Sequence, residues 1–200
     1  DGLRSILRLD PDVVMLGEIR DVDTAKTAIQ ASITGHLVLS SFHANSTAAA
    51  FSRMIGMIGI NPIFSSAIRL LIAQRLVRRL YDPSKEAYEP DEATKRWVQK
   101  TLEGVHPDRL QGIDLNNFKL YKPGVHADAP FGFKGRIVIM EQMVVNHDIQ
   151  AFLRGDIADA NPETIEQAAK DSAGLITLIQ AGTLAALRGE TTLEEVNRAI

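Results

Sequence analysis

The sequence predicts an α/β fold, on three observations. Val13-Val14-Met15-Leu16 is a short aliphatic run without alternation, and Leu37-Val38-Leu39 is a second one. Between them Ala25, Ala28, Ile29 and Ile33 recur at the spacing of one helical face. Strand, helix and strand in that order make a βαβ unit, whose parallel strands are covered by helices and therefore read as continuous apolar runs.

The elements follow in order. Leu3, Ile6 and Leu7 predict a short helix over 1–9 that Pro11 ends. Pro11 fixes its own φ and biases Asp10 toward extended geometry, so the chain enters the first strand already straightened. That strand is expected to be buried on both faces. At Gly17 the backbone can turn or approach a ligand closely, and Glu18 then lies at the strand's carboxyl end, where open α/β sheets place their ligand crevices. A carboxylate there can hold magnesium through water, or polarise a water aimed at a phosphate. The competing reading makes Glu18 a surface acid paired with Arg20 near a turn. Asp23 or Thr24 is expected to cap the next helix, which runs to about Thr34 with Gly35 as its stop.

The second strand, 36–43, carries a histidine at each end. Their separation is odd, so in a continuous strand they point to opposite faces and cannot chelate one ion without a bend. His43, at the carboxyl end near Glu18, suits hydrogen-bond donation to a terminal phosphate; the alternative is a structural imidazole. Asn45-Ser46-Thr47 supplies cap chemistry for a helix over 48–57. Pro62 starts another, in which Ile68, Leu71, Ile72, Leu76 and Leu80 predict a helix over 63–80. Arg75, Arg78 and Arg79 would then sit at the negative end of its dipole.

From 82 to 130 the chain turns polar and proline-punctuated, with one helix expected around Trp97 and packing by Tyr88, Trp97, Phe118 and Tyr121. Residues 137–145 are aliphatic enough for a strand returning to the same sheet. Asn161-Pro162 opens a helix that Gly174 breaks, a second helix is expected over 175–187, and Thr191-Thr192 with Glu195 offers a capping box for a third. These terminal helices are expected to bundle against the core.

Composition narrows the function classes. The 200 residues are 45% hydrophobic, enough for a real core, and the net charge of −3 argues against nucleic acid or anionic lipid as the main partner. No apolar run approaches the roughly 18 residues that span a bilayer. Zero cysteines exclude disulfides and thiolate zinc sites. A phosphate-binding loop of the type Gly-x-x-x-x-Gly-Lys-Ser/Thr needs a Gly-Lys pair, and none occurs. We therefore expect a carboxyl-terminal fragment of a longer protein whose phosphate-binding loop lies upstream.

Arg8, Pro11, Asp12, Val14 to Leu16, Gly17, Glu18, Ile19, Arg20 and Asp21 together resemble the signature of the ATPases that power type II secretion and type IV pilus assembly. Gly35-His36 through His43-Ala44-Asn45 is similar to that family's histidine box, and 74–80 and 132–136 also resemble it. The resemblance implies a partial RecA-like P-loop NTPase core over 1–81, an inserted subdomain over 82–131, and a returning strand with a helical carboxyl-terminal subdomain over 132–200. It implies ATP and magnesium as cofactors, with Glu18 serving the metal and the attacking water, His36 and His43 the phosphate side, and Arg20 and Asp21 bracing the site. It implies a homo-hexameric motor, cytoplasmic and peripheral to the inner membrane, working on platform and adaptor proteins of a secretion or pilus machine, with no nucleic acid. Arginine fingers would lie upstream, so the fragment alone is expected to be nearly inactive. Family members often hold zinc in the insertion between two Cys-x-x-Cys pairs; the matching positions here are Tyr81 with Ser84 and Val125 with Asp128, so no zinc is expected. The rival reading is a non-catalytic docking module for a secretion platform protein.

Overall fold

The computed structural model describes residues 11–200; the helix expected over 1–9 lies outside the described residues. Strand β1, Val13–Glu18, runs parallel to β2, Leu37–Ser41, and helix α1, Val22–Ile33, makes the crossover. Asp21 caps α1, two residues earlier than the sequence suggested, accepting from the Thr24 backbone N–H at 2.7 Å. That hydrogen bond and one from the Thr24 hydroxyl hold the Asp21 carboxyl below its ordinary pKa. Ala25, Ala28 and Ile29 face inward as their spacing requires.

Burial of β1 on both faces is not what the chain provides. Val14 is buried, whereas Val13 is 52% and Met15 83% exposed, and on β2 Leu37 and Leu39 are exposed too. Among the described residues only one face of this strand pair is covered. Its cover includes α1 and helix α2, Thr47–Ile58, which Ser46 caps and whose Phe51 is fully buried.

The largest departure from expectation lies at 63–80. A single 3₁₀ turn, Pro62–Phe64, is followed by an eleven-residue strand β3, Leu70–Leu80, where the spacing had suggested one long helix. Apolar residues at 68, 71, 72, 76 and 80 satisfy a helical period, but β3 pairs with strand β6, Phe133–Val144, and that long-range partner decides the outcome. Arg78 and Arg79 therefore end no helix: they pair with Glu195 and Asp82. The strand expected over 137–145 is β6, joined to β3 rather than to β1 and β2.

The chain gathers into two compact units. One comprises the described residues up to Ile72 together with Gln142–Leu175; the other comprises Ala73–Glu141 and Ile176–Ile200. The boundary falls within both β3 and β6, so the contacts divide the chain differently from the three consecutive segments 1–81, 82–131 and 132–200.

The first unit's core joins α1 and α2 to helix α5, His147–Arg154, and helix α6, Pro162–Ala173, around Phe51, Ile149, Phe152 and Ile165. Helix α5 was not anticipated. In the second unit, the two-stranded antiparallel sheet of β4, Glu86–Tyr88, and β5, Leu120–Lys122, accompanies helix α3, Glu92–Thr101. One turn of helix, α4, Pro107–Leu110, lies between α3 and β5. Val98, Leu102, Phe118 and Leu120 form a core with Leu184 and Leu187 of helix α7, Leu178–Leu187. Trp97 is not its centre, being partly exposed. Helix α8, Leu193–Ala199, starts at Thr192, but Glu195 turns away from a capping box toward Arg78. The terminal helices are thus shared between the units, α5 and α6 in one, α7 and α8 in the other.

Candidate functional site

The site is built where β1 and β2 end. Successive partners Val14 with Val38 and Leu16 with Ser40 give way to Glu18 with Ser41, so Gly17 is an extra residue on β1. A bulge of this kind re-aims the side chain that follows it. The Ser41 hydroxyl donates to the Gly17 carbonyl at 2.5 Å, and the Ile19 N–H donates to the Ser41 carbonyl at 3.1 Å. Both bonds pin the bulge, and with it the direction of Glu18. Nothing comes within 4 Å of where a side chain on Gly17 would begin, and its φ is not positive. Neither strain nor crowding within the described chain demands glycine here, and the flank beside Glu18 is open.

The carboxylate of Glu18 receives two donors. His43 Nε2 lies 2.9 Å from Oε1, and Arg20 Nε donates to Oε2. Glu18 is 16% exposed while His43 is 83% exposed, so a shielded acid faces two solvent-facing partners. Contacts of that kind contribute about 0–1 kcal/mol, weak enough for an arriving ligand to exchange. The loop bearing His43 is held from α2: Arg53 donates to the His43 carbonyl at 2.9 Å and lies over the Phe42 ring at 5.2 Å.

Three of the five sequence-predicted residues therefore meet: Glu18, Arg20 and His43. Asp21 does not join them, because its carboxylate is spent capping α1. His36 stands at the opposite end of β2 from His43. Its Nδ1 is 3.0 Å from the Ala31 carbonyl and 3.3 Å from the Thr34 hydroxyl, which ties it to the end of α1. A five-residue strand separates the two histidines, about 16 Å at the usual rise. Ser41 is the residue that sequence reasoning missed; a hydroxyl bonded to a carbonyl 24 positions away leaves no periodic trace.

The arrangement can accept and orient. Glu18 is an acceptor held at a strand's carboxyl end, His43 a donor within its reach, and the Gly17 flank leaves backbone accessible. A shallow cleft in the second unit, lined by Arg78, Tyr88, Lys122, Phe133, Glu194 and Glu195, contains none of these residues. There Arg78 pairs with Glu195, and Lys122 with Glu86.

Comparison with known proteins gives the chain's family and fold. Residues 1–198 match the family model described as Type II/IV secretion system protein. Type II secretion system protein E of Xanthomonas campestris is 38% identical over 99% of the chain and 33% of its own length. The type IV pilus assembly ATPase PilB of Pseudomonas aeruginosa is 41% identical over 98% of the chain and 32% of its length. The chain thus spans about a third of the curated relatives it matches. Among solved structures, the pilus retraction motor PilT with bound ADP superposes with a TM-score of 0.61 at 22% identity, covering 99% of this chain and 42% of that one. The ATPase DotB of Legionella pneumophila gives 0.59 at 18%, covering 99% and 41%. At those identities the likeness shows the fold, a partial RecA-like core.

Proposed function

Because the chain belongs to the type II/IV secretion system protein family, we propose that it is the carboxyl-terminal part of a motor ATPase coupling ATP hydrolysis to type II secretion or type IV pilus assembly. The observation that carries this reading is the meeting of Glu18 and His43 at the carboxyl edge of a parallel strand pair, beside the open flank of Gly17.

The residues fit magnesium-bound ATP: Glu18 offers carboxylate oxygens suited to a metal's water shell, and a hard cation keeps several of its waters. When bound, magnesium neutralises charge developing on the transferred phosphoryl group. Glu18 then holds and polarises the attacking water, its direction fixed by the pinned bulge. His43 releases Glu18 and donates its Nε2–H to a terminal phosphate oxygen. Arg20 remains beside Glu18 as a charge partner, and Asp21 contributes only by starting α1. His36, at the far end of β2, orders the turn after α1 and does not contact nucleotide.

The phosphate cradle and any arginine finger belong to sequence upstream of these 200 residues, so the chain alone turns over negligibly. In the complete protein we infer a cytoplasmic homo-hexamer, peripheral to the inner membrane, acting on platform and adaptor proteins. No helix among the described residues is long and apolar enough to cross a membrane. The test is Glu18→Gln in the chain carrying its upstream sequence. ATP turnover is expected to fall by about 10²–10⁴-fold while nucleotide affinity changes little. Undiminished turnover would remove Glu18 from the chemistry and favour a docking module instead.

A further inference from the structure

The four positions where family members often place zinc ligands are brought together here without a set of metal donors. Tyr81 donates its phenol to Asp128 Oδ2 at 3.4 Å, and its ring meets that of His126 at 5.1 Å between centroids, tilted by 59°. Lys134 Nζ lies over the Tyr81 ring itself, 5.3 Å from its centroid. The Tyr81 backbone N–H donates to the Gly132 carbonyl at 2.9 Å, and the Ser84 hydroxyl to the Gly124 carbonyl at 3.3 Å. Two glycines make the approach possible. A Cβ on Gly124 would stand 1.9 Å from the Ser84 carbonyl oxygen, and one on Gly132 would stand 2.4 Å from Pro123 Cβ. The loop between them closes on itself through a bridge between His126 and Ala129.

As a zinc site this set fails on chemistry. Val125 has no donor atom and is 86% exposed. Ser84 spends its proton on a carbonyl. His126 Nδ1 accepts the Asp128 backbone N–H at 3.1 Å, which uses the one lone pair that a neutral imidazole has for a metal and places the proton on Nε2. One carboxylate and one phenol do not make the four-coordinate shell of a structural zinc.

We propose that the loops at 81–84 and 124–132 form a metal-independent clasp, in which the Tyr81 ring and phenol, seated on His126, Asp128 and Lys134, replace a coordinated ion. Of the residues expected to pack this segment, Phe118 and Tyr88 do so in the core with Leu120 and Val98; the clasp is a separate feature at the positions that match the family's zinc ligands. The clasp is independent of the proposed ATPase chemistry and is testable on the chain alone.

Trp97, the single tryptophan, lies in the same unit and reports its unfolding. Thermal melts followed by its fluorescence are expected to agree within about 1 °C with and without EDTA or added zinc, and the purified chain to carry well under one zinc per molecule. Tyr81→Ala is expected to lower the midpoint by several degrees, and Tyr81→Phe, which keeps the ring, by much less. A midpoint that drops with EDTA, stoichiometric zinc, or a Tyr81→Ala melt identical to the parent would each overturn the clasp. The chelator arm stands even if Tyr81→Ala fails to fold.

Discussion

Removing Arg78 should cost more than neutralising the acid it holds. Glu195 is 4% exposed and takes four donors: Arg78 Nη2 on Oε1 at 2.5 Å, and Arg78 Nε at 2.9 Å, Arg198 Nη2 at 2.8 Å and the Arg78 backbone N–H at 3.3 Å on Oε2. In Arg78→Ala the carboxylate stays buried but keeps only Arg198 and the backbone N–H. Breaking a buried pair costs about 3–5 kcal/mol, and the surviving partners bring this to roughly 2–3 kcal/mol. Loss of the contact between the Arg78 guanidinium and the Phe133 ring, at 4.2 Å, adds about 0.5–1 kcal/mol. In Glu195→Gln the orphaned group is Arg78 instead; 44% exposed, it recovers water, and the cost is about 1–2 kcal/mol.

Urea unfolding followed by Trp97 fluorescence would read both variants. Acid adds a second signature. The Arg78 side chain, through its hydrogen bonds, holds the Glu195 pKa below the ordinary range, with the Arg78 backbone N–H and the nearby charges assisting against burial. A depressed folded pKa means stability that is fully present above the unfolded value, about 4.3, and lost as pH falls through the folded one. The gap between parent and Arg78→Ala should therefore be full at pH 6 and shrink below about pH 4. Equal costs for the two variants, or a gap that widens in acid, would refute the reasoning.

Two further outcomes follow from close contacts. Ser41→Ala, in the chain with its upstream sequence, should lower kcat by about 10-fold with little change in KM, because it frees the bulge that aims Glu18; Ser41→Thr should restore most of the rate. Gly182→Ala would place a Cβ 2.4 Å from Val196 Cγ1, where α7 meets α8. It should destabilise by about 1–3 kcal/mol in the same urea assay, and Val196→Ala added to it should give back part of that loss.

The β1-α1-β2 unit was legible because its apolar runs are short, bounded and linked by a helix-period segment that nothing else explains. Strand β3 was not, since Leu71, Ile72, Leu76 and Leu80 fit the helical period and in a strand fall on both faces, with Ile72 and Leu76 exposed, so only pairing with β6, far along the chain, makes a strand of them. Helix α5 escaped because eight residues are too few to show a face before its cap, Asn146, is seen bonding to Ile149. At the site, Glu18 and His43 were found through a motif and the geometry joins them. His36 was grouped with His43 by the same motif, yet a strand's two ends are far apart whichever faces its residues take. The burial assigned to β1 failed for a related reason: an apolar run demands cover on both faces, but does not say which segment supplies it.

The most direct measurement of the central claim is a structure of the longer chain with magnesium and a non-hydrolysable ATP analogue. The account predicts the Glu18 carboxylate one water away from the γ-phosphorus, about 4–6 Å, with His43 turned from Glu18 to a γ-phosphate oxygen. A nucleotide bound with Glu18 more than about 10 Å from the γ-phosphate, outside the reach of any single water, would contradict it.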